Sequence, residues 1–151
     1  MLPEFYQFYH PTKVIYGEGL VDDFSHELEE LKARTFFVVS DPGIRALGLV
    51  QRTMDGLQEA GFTISGAYYD VPQDASVQAV ESIGRLAAQS GGQGLIAIGG
   101  GSVIDATKAA NFIFSEGGDL VEDYSGAATL TRPLKPFVVI PTTAGTGSEC
   151  T

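Results

Sequence analysis

One stretch decides the fold: residues 95–105, Leu95-Ile96-Ala97-Ile98-Gly99-Gly100-Gly101-Ser102-Val103-Ile104-Asp105. Its first four residues are apolar without alternation, which is typical of a strand buried on both faces of a parallel sheet. Three glycines follow, and Ser102 with Asp105 three residues later matches a capping box, which predicts that Ser102 caps a helix. The stretch therefore predicts a strand, a tight glycine turn and a helix in succession.

The glycine turn carries the first functional hypothesis. Glycines ahead of a helix let backbone N–H groups approach a bound anion closely, and the helix dipole favours negative charge there. We therefore interpret residues 99–102 as a phosphate cradle. An ordinary strand-to-helix turn is the alternative, because glycine-rich turns after strands are common in α/β folds.

The rest of the chain repeats the pattern of a strand followed by a helix. Further strands are predicted at 5–10, 13–16, 35–40, 62–71 and 137–140. Further helices are predicted at 19–32, from Leu47 to a stop at Gly61, over Val77 to Ala87 after a turn at 72–76 that can cap it, and, within a loop over 116–136, near 119–123. Apolar strands that alternate with amphipathic helices predict one α/β domain, a parallel sheet with helices on both faces.

Composition excludes several classes of partner. The 151 residues include 19 acidic and 9 basic side chains, for a net charge of -10. Such a charge repels nucleic acid and anionic membrane surfaces, and no apolar run is long enough to span a membrane. The N-terminus lacks the pattern of a signal peptide, and a single cysteine, Cys150, suits a reducing compartment. We therefore expect a cytoplasmic protein.

A carboxylate follows the strand predicted at 35–40. Asp41 could accept both hydroxyls of an adenosine ribose, and it would repel a 2′-phosphate, so it favours NAD over NADP. A turn aspartate ahead of Pro42-Gly43 is an equally ordinary interpretation. Asp41 also precedes the glycines, whereas the acidic residue of a standard Rossmann fingerprint follows them, so that fingerprint is not matched.

A second turn rich in hydroxyls follows the strand predicted at 137–140. Residues 142–148 read Thr142-Thr143-Ala144-Gly145-Thr146-Gly147-Ser148, and such groups can bind phosphate, ribose or a carboxamide without added charge. A plain polar turn is the alternative. Ligands of parallel sheets bind outside the carboxyl ends of the strands, so we expect Asp41, the glycines and this turn to converge.

The chain has few side chains that could take part in catalysis or metal binding. Lys108 lies one helical turn after Asp105, which predicts either a surface ion pair or a role near the phosphates. His10, His26 and Cys150 match no metal-ligand or nucleophile spacing. The sequence therefore predicts no complete catalytic or metal-binding set within these residues.

Two long motifs carry a resemblance to a known family. Residues 99–108 match the pattern GGGS-x-x-D-x-x-K, and residues 141–149 read PTTAGTGSE. Together with residues 14–19 and Asp41 in their expected places, they resemble the N-terminal cofactor-binding domain of iron-containing (group III) alcohol dehydrogenases. The resemblance implies a Rossmann-like parallel sheet of the dehydroquinate synthase-like kind over residues 1–151. It also implies a helical domain, absent from these residues, in which an Asp and three His hold Fe²⁺ or another divalent metal.

The resemblance assigns roles to single residues. It implies NAD, with NADP less favoured, and hydride transfer with a small alcohol or aldehyde in the full-length enzyme. The implied contacts are Asp41 with the adenosine ribose, Gly100, Gly101 and Ser102 with the pyrophosphate, and Thr142, Thr143, Thr146 and Ser148 with the nicotinamide half. Gly99 and Asp105 are implied as further cofactor-binding residues. Asp105 and Lys108 match positions on the cofactor helix. The turn at 72–76 departs from the common Pro-Asn-Pro-Thr version.

Other interpretations predict different behaviour. Glycerol dehydrogenase and dehydroquinate synthase share the implied architecture, but the run TTAGTGSE favours the alcohol dehydrogenase branch. A non-catalytic nucleotide-binding or interaction module is the alternative from another class. A phosphosugar kinase would need a catalytic Asp pattern that does not accompany the glycines. The chain alone is expected to be inactive, and self-association would cover an apolar face left exposed without the second domain.

Overall fold

The computed structural model describes residues 11–124 and 133–150. Four parallel strands form one sheet in the order β2-β1-β3-β4. Their bounds are β1 (Thr35–Ser40), β2 (Thr63–Tyr68), β3 (Gly94–Gly99) and β4 (Phe137–Pro141). The parallel sheet predicted from the sequence is confirmed. The strand predicted at 5–10 lies outside the described residues.

Helices cover both faces of the sheet, as predicted. Their bounds are α1 (Ser25–Glu29), α2 (Pro42–Ala46), α3 (Leu49–Glu59), α4 (Val77–Gln89), α5 (Gly101–Glu116) and α6 (Leu120–Tyr124). Helices α4 and α5 pack on the face that carries Phe37 and Leu95, and α1 and α3 pack on the face that carries Phe36 and Ile96. None of the described helices is long and apolar enough to cross a membrane.

The central strand β3 shows why its sequence lacks alternation. Every residue of β3 is buried, because successive side chains point to opposite faces and each face is covered by helices. A buried hydroxyl joins β3 to its neighbour, since Ser40 Oγ donates a hydrogen bond to the carbonyl of Ile98 at 2.6 Å. That bond satisfies a polar group that would otherwise be costly to bury.

The strand predicted at 13–16 is wrong. Residues 11–17 form neither helix nor strand, and the side chains of Val14 and Tyr16 are 70% and 94% exposed. None of the four strands in the described part of the chain pairs with this segment. Short apolar runs predict strands only when a partner strand completes the ladder, and the sequence did not show whether one was available.

The helix predicted at 19–32 is broken into two pieces. A 3-10 turn covers Leu20–Asp22, and α1 begins again at Ser25. The break lies at Asp23, whose backbone is extended and whose carboxylate accepts hydrogen bonds from the N–H and the hydroxyl of Ser25. An Asp side chain that bonds to a nearby backbone N–H competes with helix propagation in this way.

Glycine and serine residues set the helix boundaries around α2, α3 and α4. Helix α2 was not predicted, and Gly48 with φ of 78° separates it from α3. The stop predicted at Gly61 is confirmed, because its φ of 84° is left-handed. The cap predicted for α4 is confirmed too, since Ser76 Oγ accepts a hydrogen bond from Ala79 N at 3.3 Å.

The cap predicted at Ser102 is wrong. Helix α5 begins one residue earlier, with the extended residue Gly100 at the N-cap and no side chain capping it. Ser102 is the second helical residue, and its hydroxyl donates to the carbonyl of Gln73 instead. Asp105 therefore takes no part in a capping box. The short helix predicted near 119–123 is confirmed as α6, and the loop after it, 125–132, lies outside the described residues.

Candidate functional site

A cleft opens at the carboxyl ends of the two central strands. The chain leaves β1 towards β2 on one side and leaves β3 towards β4 on the other, so the strand order reverses between β1 and β3. Open α/β sheets bind ligands at such switch points. The cleft has a volume of about 580 Å³. Its lining comprises Asp41, Pro42, Ile44, Asp70, Val71, Pro72, Gln73, Gly100, Gly101, Ser102, Val103, Thr142 and Thr143.

Asp41 lies at the β1 end of the cleft, where it both caps a helix and lines the cleft. It is half-buried and caps α2, because its Oδ1 accepts a hydrogen bond from Ile44 N at 2.9 Å. Its Oδ2 has no hydrogen bond within the described structure. The two interpretations of this residue are therefore compatible, since one oxygen caps the helix while the other remains available to a ligand in the cleft.

The glycine turn after β3 lies close to the turn after β4 at the centre of the cleft. Thr142 N donates to the carbonyl of Gly99 at 3.0 Å, so the ends of β3 and β4 stay joined past the sheet. A Cβ on Gly99 would lie 2.6 Å from a methyl of Val103, and one on Gly100 would lie 3.1 Å from Thr143 Oγ1. A side chain at Gly99 would therefore collide with Val103, whereas one at Gly100 would require only a small shift of the Thr143 side chain.

The N-terminus of α5 presents backbone donors to the cleft. The first turn of a helix has N–H groups without intrahelical partners, and the helix dipole adds positive potential there. The hydroxyl of Ser102 is already committed to Gln73, so the backbone N–H of Ser102, and not its side chain, is the group left for an anion. The lining contains two carboxylates, Asp41 and Asp70, and none of its residues is Lys, Arg or His.

The hydroxyl-rich turn after β4 divides between two surfaces. Thr142 and Thr143 line the cleft, and Thr142 Oγ1 is buried without a hydrogen-bond partner in the described structure. Thr146 and Ser148 instead line an adjoining depression of about 610 Å³, which also includes Asp105. Thr142 and Thr143 therefore converge with Asp41 and the glycines as expected, whereas Thr146 and Ser148 line the adjoining depression.

Asp105, Lys108 and Ser148 form one cluster beside the cleft. Ser148 is 6% exposed, and its Oγ donates to Asp105 Oδ2 at 3.1 Å. Lys108 Nζ donates to the carbonyl of Ser148 at 2.6 Å and lies 3.9 Å from Asp105 Oδ1. The ion pair predicted from the spacing of Asp105 and Lys108 is present at this distance, and no sequence pattern predicted that Ser148 would join it.

Several lining residues were not predicted as site residues. Ile44 comes from α2, and Asp70, Val71, Pro72 and Gln73 come from the segment that follows β2. The signal that could have found the segment is its position, because β2 is parallel to β1 and its carboxyl end lies at the same edge of the sheet. Within residues 11–124 and 133–150, no group of three or more His, Cys, Asp or Glu side chains is arranged to hold a metal ion.

A family model described as iron-containing alcohol dehydrogenase matches residues 11–151. The chain belongs to the iron-containing alcohol dehydrogenase family. The match covers nearly the whole sequence and includes both motifs that carry the resemblance. The family and the α/β fold expected from the sequence are thereby confirmed.

Individual relatives agree with this assignment. The chain is 34% identical over 143 residues to the sulfoacetaldehyde reductase of Bilophila wadsworthia, covering 95% of the chain and 36% of that protein. It is 32% identical over 144 residues to the NAD-dependent methanol dehydrogenase of Bacillus methanolicus, covering 95% of the chain and 37% of that protein. The solved structure of an alcohol dehydrogenase from Oenococcus oeni matches with a TM-score of 0.86 at 28% identity, covering 97% of the chain and 38% of that protein. The chain thus spans less than two fifths of the length of these family members.

Proposed function

We propose that these residues bind NAD as the cofactor-binding part of a metal-dependent alcohol dehydrogenase. The observation that carries the proposal is the cleft at the switch point between β1 and β3, with Asp41 at one end and the glycine turn at its centre. Membership of a family that includes an NAD-dependent methanol dehydrogenase supports the choice of cofactor. The chemistry that NAD supplies is the transfer of a hydride, here with a small alcohol or aldehyde as substrate.

Each part of the cleft suits one part of a dinucleotide. Asp41 Oδ2 would accept hydrogen bonds from the adenosine ribose, and the backbone N–H groups at the start of α5 would bind the pyrophosphate. Because Gly100 and Gly101 lack side chains, the ligand can lie against the backbone there. The buried, unpartnered Thr142 Oγ1 and the neighbouring Thr143 would face the nicotinamide half. An orphaned buried hydroxyl beside a cleft is the kind of group that a ligand satisfies.

The charge of the cleft explains how it would select between the two dinucleotides. A pyrophosphate would meet no cationic side chain in this lining and must rely on backbone donors and the helix dipole. A 2′-phosphate would instead lie beside the carboxylate of Asp41, with Asp70 in the same lining. Like charges at short range disfavour that arrangement, so NAD is preferred over NADP.

Replacing Asp41 with glycine is expected to narrow or reverse the preference for NAD over NADP. The loss of a charge-assisted contact to ribose weakens NAD binding by about 1–2 kcal/mol, and the loss of repulsion improves NADP binding. Glycine is tolerated at an N-cap, so α2 should persist. Calorimetric titration of both dinucleotides into each protein measures the ratio of dissociation constants.

Two control variants sharpen this test of the proposed function. Asp41→Ser keeps a capping oxygen but lacks the carboxylate, so it should resemble Asp41→Gly in selectivity and the wild type in thermal stability. Asp70→Asn removes an equal charge from the same cleft. A shift as large for Asp70→Asn as for Asp41→Gly would show that the overall charge, and not a ribose contact, sets the preference.

The metal of the proposed enzyme requires residues beyond these 151. The resemblance implies a site of one Asp and three His, whereas this sequence contains two histidines, His10 and His26. We therefore propose that the metal ligands are supplied by a separate domain of the full-length protein. Residues 11–150 would bind and orient the dinucleotide for it. Cytoplasmic localisation, in keeping with the single cysteine, and self-association of the enzyme are further parts of this proposal.

Expressed by itself, the 151-residue chain is expected to bind NAD without oxidising alcohols. The physical reason is that nothing in it can supply the three histidine ligands that polarise the substrate oxygen. The measurement is the absorbance of NADH formed from short-chain alcohols in the presence of Fe²⁺ or Zn²⁺. Alcohol-dependent NADH formation that a chelator abolishes would contradict the prediction.

A further inference from the structure

We propose that Arg45 is a second residue that sets the choice between the two dinucleotides, because it would pair with a 2′-phosphate on the adenosine ribose. The proposal rests on the proposed NAD-binding function and concerns the adenosine end of the same cleft. Asp41 and Arg45 then act in opposite directions on that phosphate, and the preference for NAD reflects the balance between them.

Arg45 lies on the helix that begins at the proposed ribose contact. Asp41 is the N-cap of α2, and Arg45 N donates to the carbonyl of Asp41 at 3.1 Å. The two residues are four positions apart, which makes them neighbours across one turn at the start of this helix. A group bound at the Asp41 carboxylate therefore lies within one helical turn of the Arg45 side chain.

The guanidinium group of Arg45 lies at the rim of the cleft. It stacks on the ring of Tyr69, with Cζ 4.2 Å from the ring centroid. The chain neighbours of these two residues, Ile44 and Asp70, both line the cleft. Stacking on Tyr69 therefore holds a positive charge beside the cleft wall to which Ile44 and Asp70 belong.

The stacked geometry leaves the hydrogen-bond donors of Arg45 available. A guanidinium that packs its flat face on an aromatic ring keeps its N–H groups at the edge, where they can form two parallel bonds to a phosphate. Tyr69 is half-buried and its hydroxyl donates to Met54 Sδ at 3.6 Å, so the ring on which Arg45 rests is itself held in place. The cation is thus partly ordered before a ligand binds, which lowers the entropy cost of binding.

Arg45 differs from most cations of the chain in its charge pairing. Five basic side chains of the described residues have a carboxylate oxygen within 4.0 Å: Lys13, Arg34, Arg52, Arg85 and Lys108. Across residues 11–124 and 133–150, Arg45 has no such partner, although acidic side chains outnumber basic ones by 19 to 9 in the whole chain. Arg45 can therefore pair with an anionic ligand without first breaking an ion pair.

The balance of the two charges explains why NAD remains preferred. Asp41 would contact the ribose hydroxyls directly, so its repulsion of a 2′-phosphate acts at the shortest distance. Arg45 is exposed, and water and salt weaken its attraction. Arg45 therefore reduces the penalty on NADP without removing it, and its attraction dominates only when the Asp41 carboxylate is gone.

The test compares Asp41→Ser with Asp41→Ser/Arg45→Ala, using calorimetry with NAD and NADP, which differ only in the 2′-phosphate. Asp41→Ser keeps a capping oxygen for α2, so the helix that carries Arg45 stays in place. The ratio of NADP affinity to NAD affinity should fall at least about tenfold when Arg45 is also replaced, as expected for charge-assisted bonds to a phosphate. An unchanged ratio between the two variants would overturn the proposal.

Two further variants in the Asp41→Ser background separate the charge of Arg45 from its packing and from the net charge of the protein. Arg45→Gln keeps a flat polar end that can rest on Tyr69 but lacks the charge, so it should lower the ratio as much as Arg45→Ala does. Arg85→Ala removes an exposed cation from α4, on the opposite face of the sheet, and should leave the ratio unchanged. A ratio retained in Arg45→Gln, or lowered to the same extent in Arg85→Ala, would contradict a contact between Arg45 and the phosphate.

The wild-type background distinguishes failure of this inference from failure of the proposed function. Arg45→Ala alone should lower the ratio about threefold, a smaller change than in Asp41→Ser, because Asp41 still repels the phosphate. Wild-type protein that binds neither dinucleotide would overturn the proposed function and this inference with it. NAD binding that persists while the ratio is insensitive to Arg45 in both backgrounds would overturn this inference alone.

Discussion

Replacing Gly100 with valine is expected to abolish measurable NAD binding while leaving the fold intact. A Cβ at this position would lie 3.1 Å from Thr143 Oγ1, and a valine side chain would fill part of the cleft that both residues line. An anion could then no longer reach the backbone N–H groups. Charge-assisted hydrogen bonds contribute about 1.5–3 kcal/mol each, so the loss of two of them weakens binding at least about 100-fold.

The fold should survive because the backbone at Gly100 is not left-handed. Its φ of -83° and ψ of -170° are open to any residue, so the requirement for glycine there comes from crowding and the ligand. Calorimetry with NAD gives the affinity, and circular dichroism with thermal melting checks the fold. Ala88→Val, on the exposed side of α4, places the same valine side chain away from the cleft. NAD affinity within about threefold of wild type in Gly100→Val would contradict the proposed cradle.

Replacing Gly84 with alanine is expected to destabilise the protein, against the usual effect of this change in a helix. Gly84 lies inside α4, where helix propensity alone predicts that alanine stabilises by about 1 kcal/mol. A Cβ there would lie 2.7 Å from Ile113 Cβ and 2.8 Å from the carbonyl oxygen of Ala110, both on α5. Because the carbonyl belongs to the backbone, the two helices must move apart, at a cost of about 1–3 kcal/mol.

Urea unfolding followed by circular dichroism measures the free energy of unfolding of the Gly84 variant. Ser82→Ala provides the matched control, because Ser82 is exposed on the same helix and its hydroxyl donates to the carbonyl of Gln78 within α4. That control should gain about 0.5 kcal/mol from propensity. A Gly84→Ala variant as stable as Ser82→Ala would show that α4 and α5 do not pack as closely as the structure has them.

Most of the fold followed from local patterns in the sequence. The run at 95–98 is apolar on both faces of a strand, and that pattern predicted a parallel sheet covered on both sides before any contact was known. Ser76 and Gly61 marked helix ends correctly because capping and left-handed turns are decided within a few residues. The two motifs likewise indicated the family, which the match over residues 11–151 establishes.

Where local patterns competed, the sequence alone predicted the wrong outcome. The apolar periodicity of 19–32 was cut at Asp23, where a side chain bonded to the backbone and ended the helix. Ser102 had the spacing of a cap, but Gly100 took the N-cap and freed the hydroxyl for Gln73. At Asp23 the competing bond is local, two residues along the chain, whereas at Ser102 it goes to Gln73 in another segment of the fold.

The sequence by itself determined which chemistry this protein carries: Asp41, the glycines and the hydroxyl-rich turn were each visible as residues that follow a strand. The tertiary structure alone decided their arrangement. It brought Asp70 and Gln73 into the cleft, joined Asp105 to Ser148 by a hydrogen bond, and packed Gly84 against α5. The physical reason is the distance along the chain over which each kind of interaction acts. Strand and helix signals arise within a few residues, whereas these contacts join positions tens of residues apart whose approach depends on how the elements pack.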